Sequence, residues 1–552
     1  MKKIFMAMSL VLMLPVVAAA QTEKSPIRVS PQDEAIALQE VKKMPMRNRI
    51  TQLIMPVVKM FDMDSARILI DKYVGEYKVG GILFYKGKCS EQIELYNRAV
   101  SKSDYPIFVA IDGEWGLNMR LQNTPRFPVN MALGAINDPK LLEEYGAEMG
   151  RQCKRMGINI NFAPVLDVNS NPQNPVIGRR AFSDDKMKVT QMGVAYAIGL
   201  EKAGVLSCAK HFPGHGDTSQ DSHKTLPTVY RSKDAIYDID LYPFRKYIEA
   251  GLNGMMVAHL RVPAIDSISG VSCSLSPVVV TDILRNQMSF SGLVFTDALD
   301  MKGVTKYTDV AVKALLAGND ILVMPVDFDK CVEEITAAIA DGRIPESLIN
   351  QRCAKVIAYK RALSLNLNVV ESNNVLSDLD TEYCRSLIAK LAQKSITLVR
   401  DKNKLLKRFN ARKSQLITLG DDENLKMLSL GDTVVTGREF YRYIDKSYLH
   451  YINYNSKSQG LPKIGYSVPT VVEVFSAKPK YIEALQEIAK HPNVTIIFYV
   501  HPYEMLRFKD AVTAENAIVC AYEDTFDAQR AAQNAIQGKS RFEGVMPVKI
   551  EF

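Results

Sequence analysis

The chain lacks most of the features that would take it out of the ordinary globular class. After residue 20 no apolar run approaches the length needed to span a bilayer, so no further membrane-spanning helix is expected. Low-complexity tracts and short-period repeats are missing, which excludes a solenoid or a low-complexity disordered tail. Cysteine is sparse: Cys89, Cys153, Cys208, Cys273, Cys331, Cys353, Cys384 and Cys520 are widely scattered, and no spacing among them resembles a zinc site. Several fall inside apolar strand or helix patterns, so they read as free buried thiols rather than a disulfide framework. Nor does a cysteine follow the small residues Ala18-Ala19-Ala20, which argues against a lipid-anchored start.

What is present begins with Met1-Lys2-Lys3, an apolar run from Ile4 to Val17, and then those three alanines before Gln21. A short basic region, an apolar core and a small-residue cleavage site describe a secretory signal peptide, residues 1–20, and export to the periplasm. The formal charge of +8 is mild, and its one cluster, around Lys402 to Lys413, carries no interleaved aromatics. It reads as a solvated surface, so no nucleic-acid partner and no stable membrane anchor are expected. With 552 residues, 47% hydrophobic and 24% charged, the chain is long enough for two to four folded domains.

Short apolar runs recur with helical patterns between them: Gly81 to Phe84, Ile107 to Ile111, Ile158 to Ala163, Val205 to Ala209, Met255 to Ala258, Leu293 to Thr296 and Ile321 to Met324. This rhythm predicts a parallel α/β domain. Polar residues follow closely, at Asp112, Asp167, Lys210-His211, His259 and Asp297, where the catalytic face of a barrel would lie. Helices are predicted over Pro139 to Met156 and Pro345 to Leu365. A second set of strands follows, Ile396 to Val399, Gln415 to Thr418, Val471 to Phe475, Val494 to Val500 and Ala517 to Cys520, with a helix from Asp527 to Ile536. The chain therefore divides into a parallel α/β domain over 21–366, a linker over 367–380 and a smaller three-layer α/β domain over 381–552. The segment from Asp421 to Tyr454 resists assignment.

The densest chemistry lies in Lys210-His211-Phe212-Pro213-Gly214-His215-Gly216-Asp217-Thr218-Ser219-Gln220-Asp221-Ser222-His223, where three histidines surround two glycines and a proline after an apolar run. This loop resembles the signature of glycoside hydrolase family 3, in its β-N-acetylglucosaminidase branch. Asp112-Gly113-Glu114 with Arg120-Leu121, Asn161 to Val168, Asn174 to Phe182, Val257-Ala258-His259 and Phe295 to Met301 support the likeness, in the family's order. A weaker likeness continues through Tyr522 to Thr525 and Met546-Pro547-Val548.

The resemblance implies a TIM-like (β/α)8 barrel followed by an α/β sandwich, and a retaining exo-β-N-acetylglucosaminidase acting on peptidoglycan fragments or chitooligosaccharides, with no metal or cofactor. Asp297 would be the nucleophile that forms a covalent glycosyl-enzyme, and His223 the acid/base, its second imidazole nitrogen held by Asp221. Asp112, Arg120, Arg180, Lys210 and His211 would bind the sugar. Two alternatives follow from the same residues: a phosphorylase, because a neutral histidine admits an anionic acceptor, and a non-catalytic glycan-binding protein.

Other readings stand beside these. Asp297 could cap a helix starting after Thr296. Asp167 could bind substrate or brace Arg180 and Lys210, and His215 shapes the loop. His259 reads as a satisfied residue at the barrel mouth, and Trp115, the single tryptophan, as a sugar platform or as packing against the barrel. The chain departs from the common pattern at Trp115-Gly116-Leu117 and at Ala298. Arg179 beside Arg180 is a possible substitute for it.

Overall fold

The computed structural model describes residues 24–220, 225–267, 270–421, 426–429, 441–462, 464 and 468–552, with no side-chain description for 426–429, 441, 442 and 444. Eight parallel strand positions close into a barrel. Ile54–Met55 and Val57–Val58 form the first, followed by Gly81–Phe84, Phe108–Ile111 and Ile160–Asn161. The fifth runs through Leu206–Ser207 and Ala209–Phe212, and Gly254–Val257, Leu293–Thr296 and Leu322–Val323 complete the ring. Closure comes from the pairing of Ile54 with Leu322 and of Phe295 with Ile321. The barrel is filled by residues such as Phe162 and Phe295, which meet edge to face at 5.5 Å.

The first strand position was not among the predicted runs. Its apolar stretch from Leu53 to Val58 is broken by Pro56, whose ring cannot donate to a ladder, and it splits into two strands with different neighbours. The fifth strand also corrects the reading of Lys210 and His211. They lie inside Ala209–Phe212 rather than after the strand, because the chain leaves the pairing at Leu206–Ser207 and resumes one residue later beside Gly254–Val257. The long helices fall where periodicity puts them, at Pro139–Arg155 and Glu346–Ala362.

Residues 365–372 carry no regular element, and Val375–Leu379 is a short helix. Beyond them a six-stranded sheet takes the order Thr397–Arg400, Ala517–Cys520, Val494–Phe498, Thr470–Val474, Gln415–Leu419, His450–Tyr454. Only Thr397–Arg400 runs antiparallel. Alternation along the strands serves two apolar layers: Val472 and Val474 pack with Tyr481 and Phe508, Val471 and Ile497 with Ala532 and Ile536. This is an α/β sandwich, with Glu382–Ser395 and Phe526–Ile536 on one face.

The two cores interlock. Val129, Met131, Ala132 and Ala135, from the barrel's loop region, belong to the apolar layer of the sandwich, and Trp115 packs against that layer too. Trp115 is therefore packing, against the sandwich instead of the barrel core. The segment from Asn169 to Asp184 is held from the sandwich at both ends. Tyr503 Oη donates to Asn169 O at 3.1 Å, Ser183 Oγ donates to Pro547 O, and Lys549 N donates to Asp184 Oδ2 at 2.8 Å. All eight cysteines are buried and unpaired. Among the described residues no helix is long and apolar enough to cross a membrane. The expected signal peptide, residues 1–20, lies outside the described residues.

Candidate active site

A cavity of about 490 Å³ opens at the C-terminal face of the barrel. Its walls include Asp112, Arg120, Arg180, Lys210, His211 and Asp297, all named from the sequence, together with Lys59, Tyr85, Glu114, His215 and Asp300. Asp221 and His223 lie outside the described residues.

Two carboxylates and three cations form one network in the cavity wall. Arg120 Nη2 donates to Asp112 Oδ2 at 2.7 Å, and Lys210 Nζ reaches Asp112 Oδ1 and Glu114 Oε1, each at 2.9 Å. Arg180 grips Glu114 with two parallel bonds, Nη2 to Oε1 at 2.7 Å and Nε to Oε2 at 3.0 Å. Such a fork is the strong form of an arginine–carboxylate contact. Burial alone would raise the Asp112 carboxyl, but Lys210 and Arg120 outweigh it and hold it down at about 2. Glu114 is lowered further by Arg180 and Lys210 against its own burial. The same carboxylates keep Lys210 and Arg180 charged despite theirs.

Asp167 does not brace Arg180 or Lys210. Its Oδ2 meets His211 Nδ1 at 2.7 Å, and its Oδ1 accepts from the backbone N–H groups of His215 at 2.6 Å and His211 at 3.3 Å. The bracing carboxylate is Glu114, fully buried. Glu114 stands in the motif Asp112-Gly113-Glu114, and its place two residues after Asp112, just beyond the strand Phe108–Ile111, is the sequence signal for this role. His211 turns its other nitrogen toward Arg180, Nε2 to Nη2 at 3.4 Å, so Nδ1–H donates to Asp167. Arg179 is not among the residues lining the cavity, and Arg180 is.

Asp297 directly follows the strand Leu293–Thr296 and no helix starts behind it; the next described helix is Val310–Ala317. It is not a helix cap. Its Oδ1 accepts from Ala298 N at 2.8 Å. Burial would raise this carboxyl, but His259, His211, the Ala298 N–H and Lys210 together lower it, so it stays ionised. His259 has a partner at each ring nitrogen: Nε2–H donates to Ala298 O at 2.9 Å, and Nδ1 meets Ser274 Oγ at 2.8 Å. Asp300, by contrast, is raised by its burial.

The loop after Phe212 is pressed tightly against the loop that follows Ile160–Asn161. A Cβ on Gly216 would stand 1.9 Å from Val168 O, so only glycine allows this approach. His215 contacts Thr218 Oγ1 through Nδ1 at 2.9 Å, while its buried Nε2 has no partner among the described residues, and neither does Arg120 Nε. Burial and the neighbouring His211 push the His215 imidazole down to about 4. The folded state then binds fewer protons at this ring than the unfolded chain does, so stability falls as pH drops from about 6.5 through 4. His215→Gln is expected to remove about 3 kcal/mol of that acid-dependent loss. Urea unfolding of parent and variant at pH 7 and pH 4 checks this; equal differences at both pH values would overturn it.

A parallel barrel with an ionised aspartate in a caged polar cavity on its C-terminal face has the build of a barrel enzyme. Residues 45–359 match the glycosyl hydrolase family 3 N-terminal domain, and the chain belongs to that family. β-Hexosaminidase A of Pseudoalteromonas piscicida is 34% identical over 384 residues, 63% of this chain and 64% of that protein. A β-hexosaminidase of Chromobacterium violaceum is 33% identical over 297 residues, 51% of this chain and 81% of that protein. The chain thus spans just under two thirds of the Pseudoalteromonas relative and most of the shorter one. The solved structure of a glycoside hydrolase family 3 β-N-acetylglucosaminidase from Paenibacillus sp. str. FPU-7 superposes with a TM-score of 0.75 at 26% identity, covering 92% of this chain and 99% of that one.

Proposed function

We propose that the chain is a retaining exo-β-N-acetylglucosaminidase that releases terminal β-linked N-acetylglucosamine from peptidoglycan fragments or chitooligosaccharides. The observation that carries this reading is Asp297, an ionised carboxylate facing a cavity walled by hydrogen-bonding side chains, in a chain similar to named β-hexosaminidases. Arg120 Nε and His215 Nε2, which have no partner among the described residues, are directional groups left for sugar hydroxyls.

In the proposed reaction the Asp297 carboxylate attacks the anomeric carbon as the glycosidic C–O bond breaks. The leaving oxygen takes a proton from His223, which Asp221 orients. A water then attacks the glycosyl ester, loses its proton to His223, and frees Asp297 with the sugar's configuration retained. The roles of Asp221 and His223 rest on the resemblance of their loop. Asp112, Arg120, Arg180, Lys210 and His211 hold the ring, and Glu114 and Asp167 fix Arg180, Lys210 and His211 in place.

Product analysis by proton NMR on a panel of β-linked disaccharides and muropeptides, with and without phosphate, tests the reading. The expected first product is the β-anomer of N-acetylglucosamine in both buffers. The α-anomer first, sugar 1-phosphate, or no release at all would overturn it.

A further inference from the structure

We propose that Arg231 is a positioning residue for the proton transfer: its guanidinium ties together the two ends of the segment in which the sequence places Asp221 and His223. The proposal rests on the role given to His223 above.

Arg231 is not among the residues lining the cavity, and its side chain is only 14% exposed. What it joins defines its use. Nε and Nη2 clasp Asp217, to Oδ2 at 3.1 Å and to Oδ1 at 3.2 Å. Nη2 also donates to Ser170 Oγ, which itself donates to Asp217 Oδ1 at 3.0 Å. Nη1 reaches both oxygens of the buried Asp240 at 3.3 Å, on the turn that leads into the helix Leu241–Glu249. One planar, permanently charged fork thus holds three segments, a task for which the point charge of a lysine lacks the geometry.

Asp217 stands at the start of the segment and Arg231 at its end. The start is sewn to the neighbouring loop, with Asn174 Nδ2 donating to His215 O at 2.8 Å and Asn171 Nδ2 to Thr218 O at 3.2 Å. It also lies against Asp240, since a Cβ on Gly214 would stand 2.8 Å from the Asp240 Cβ. The end is paired to the chain beyond Gly254–Val257, where Arg261 N donates to Pro227 O at 2.8 Å and Val229 N to Arg261 O at 2.9 Å. Each end therefore has anchors of its own, and Arg231 adds the direct bond between them. Joining the ends of a connection reduces the conformations open to the residues between them. A general acid must stand within hydrogen-bond reach of the leaving oxygen, and a misplacement of about 1 Å costs rate steeply.

The test reads kcat/KM for phenyl and dinitrophenyl N-acetyl-β-glucosaminides. The phenyl glycoside needs a proton on its leaving oxygen, whereas dinitrophenolate departs without one. Arg231→Ala and Asp217→Ala are each expected to lower the phenyl value about tenfold relative to the dinitrophenyl value, the same selectivity as His223→Ala in weaker form. Asp217→Ala leaves Arg231 on Asp240, so it tests the tie even where loss of Arg231 unfolds the protein. Equal losses on both substrates in Asp217→Ala, or no loss on either, would overturn the clamp and leave the glycosidase reading standing. A parent protein that releases sugar from neither substrate, or a His223→Ala variant that loses both equally, would remove the reading on which the clamp rests.

Discussion

Asp297→Ala is expected to lower kcat/KM for an aryl N-acetyl-β-glucosaminide by about 10⁴-fold or more, the size of loss seen when a covalent catalyst is removed and the binding groups remain. The variant keeps Asp112, Arg120, Arg180, Lys210 and His211 around the sugar, so binding of N-acetylglucosamine survives while turnover does not. The physical reason is specific to this carboxylate. It faces the cavity from the end of a barrel strand, and His259, His211, Lys210 and the Ala298 N–H hold it ionised against its own burial. Azide supplied to the variant enters the space the carboxylate leaves and attacks from the same side, giving a glycosyl azide of α configuration. Thermal unfolding of parent and variant confirms that the barrel is intact. Parent-level turnover in Asp297→Ala would remove Asp297 from the mechanism.

Glu114→Ala is expected to cost about 3–5 kcal/mol of folding stability, because it removes the carboxylate gripped by Arg180 and one of the two carboxylates on the buried Lys210. Among the described residues Arg180 then keeps the Val176 carbonyl at 3.3 Å and the His211 ring, and Lys210 keeps Asp112. Glu114→Gln keeps the shape and removes the charge, so it separates packing from electrostatics. The double variant Glu114→Gln with Arg180→Gln should recover part of the loss, since breaking one side of a buried pair costs more than removing both. Chemical denaturation of the parent, Glu114→Gln, Arg180→Gln and the double variant measures the coupling, with Glu114→Ala alongside. An unchanged midpoint in Glu114→Ala would show that the cage does not hold the fold. An unchanged KM in Glu114→Gln would show that Glu114 does not position Arg180.

Much of the architecture was legible before any coordinates, because parallel strands buried on both faces appear as short continuous apolar runs. Leu293 to Thr296, Gly81 to Phe84 and Ala517 to Cys520 were read with their observed bounds. Misses occurred where pairing, not composition, decides. The first barrel position is split at Pro56, and Lys210 and His211 lie within a strand because the chain changes neighbours between Ser207 and Ala209. Between Asp421 and Tyr454 the strands Tyr441–Ile444 and His450–Tyr454 have no clean apolar run to announce them.

The site divides along the same line. Asp297, Asp112, Arg120, Arg180, Lys210 and His211 could be named from the sequence because each stands in a local motif, and local motifs survive as strings of letters. Glu114's task could not, because its partners lie 66 and 96 positions away. The same distance hid the link between Asp167 and His211, 44 positions apart, and the hold of Tyr503 on Asn169, 334 positions apart. Charge pairing depends on which side chains the barrel brings within about 3 Å, and no periodicity encodes that. The sequence by itself determined the order of strands, the family likeness and the residues offered for chemistry. Only the tertiary structure decided which carboxylate holds which cation and that Trp115 packs against the second domain, since each depends on contacts between segments far apart in the chain.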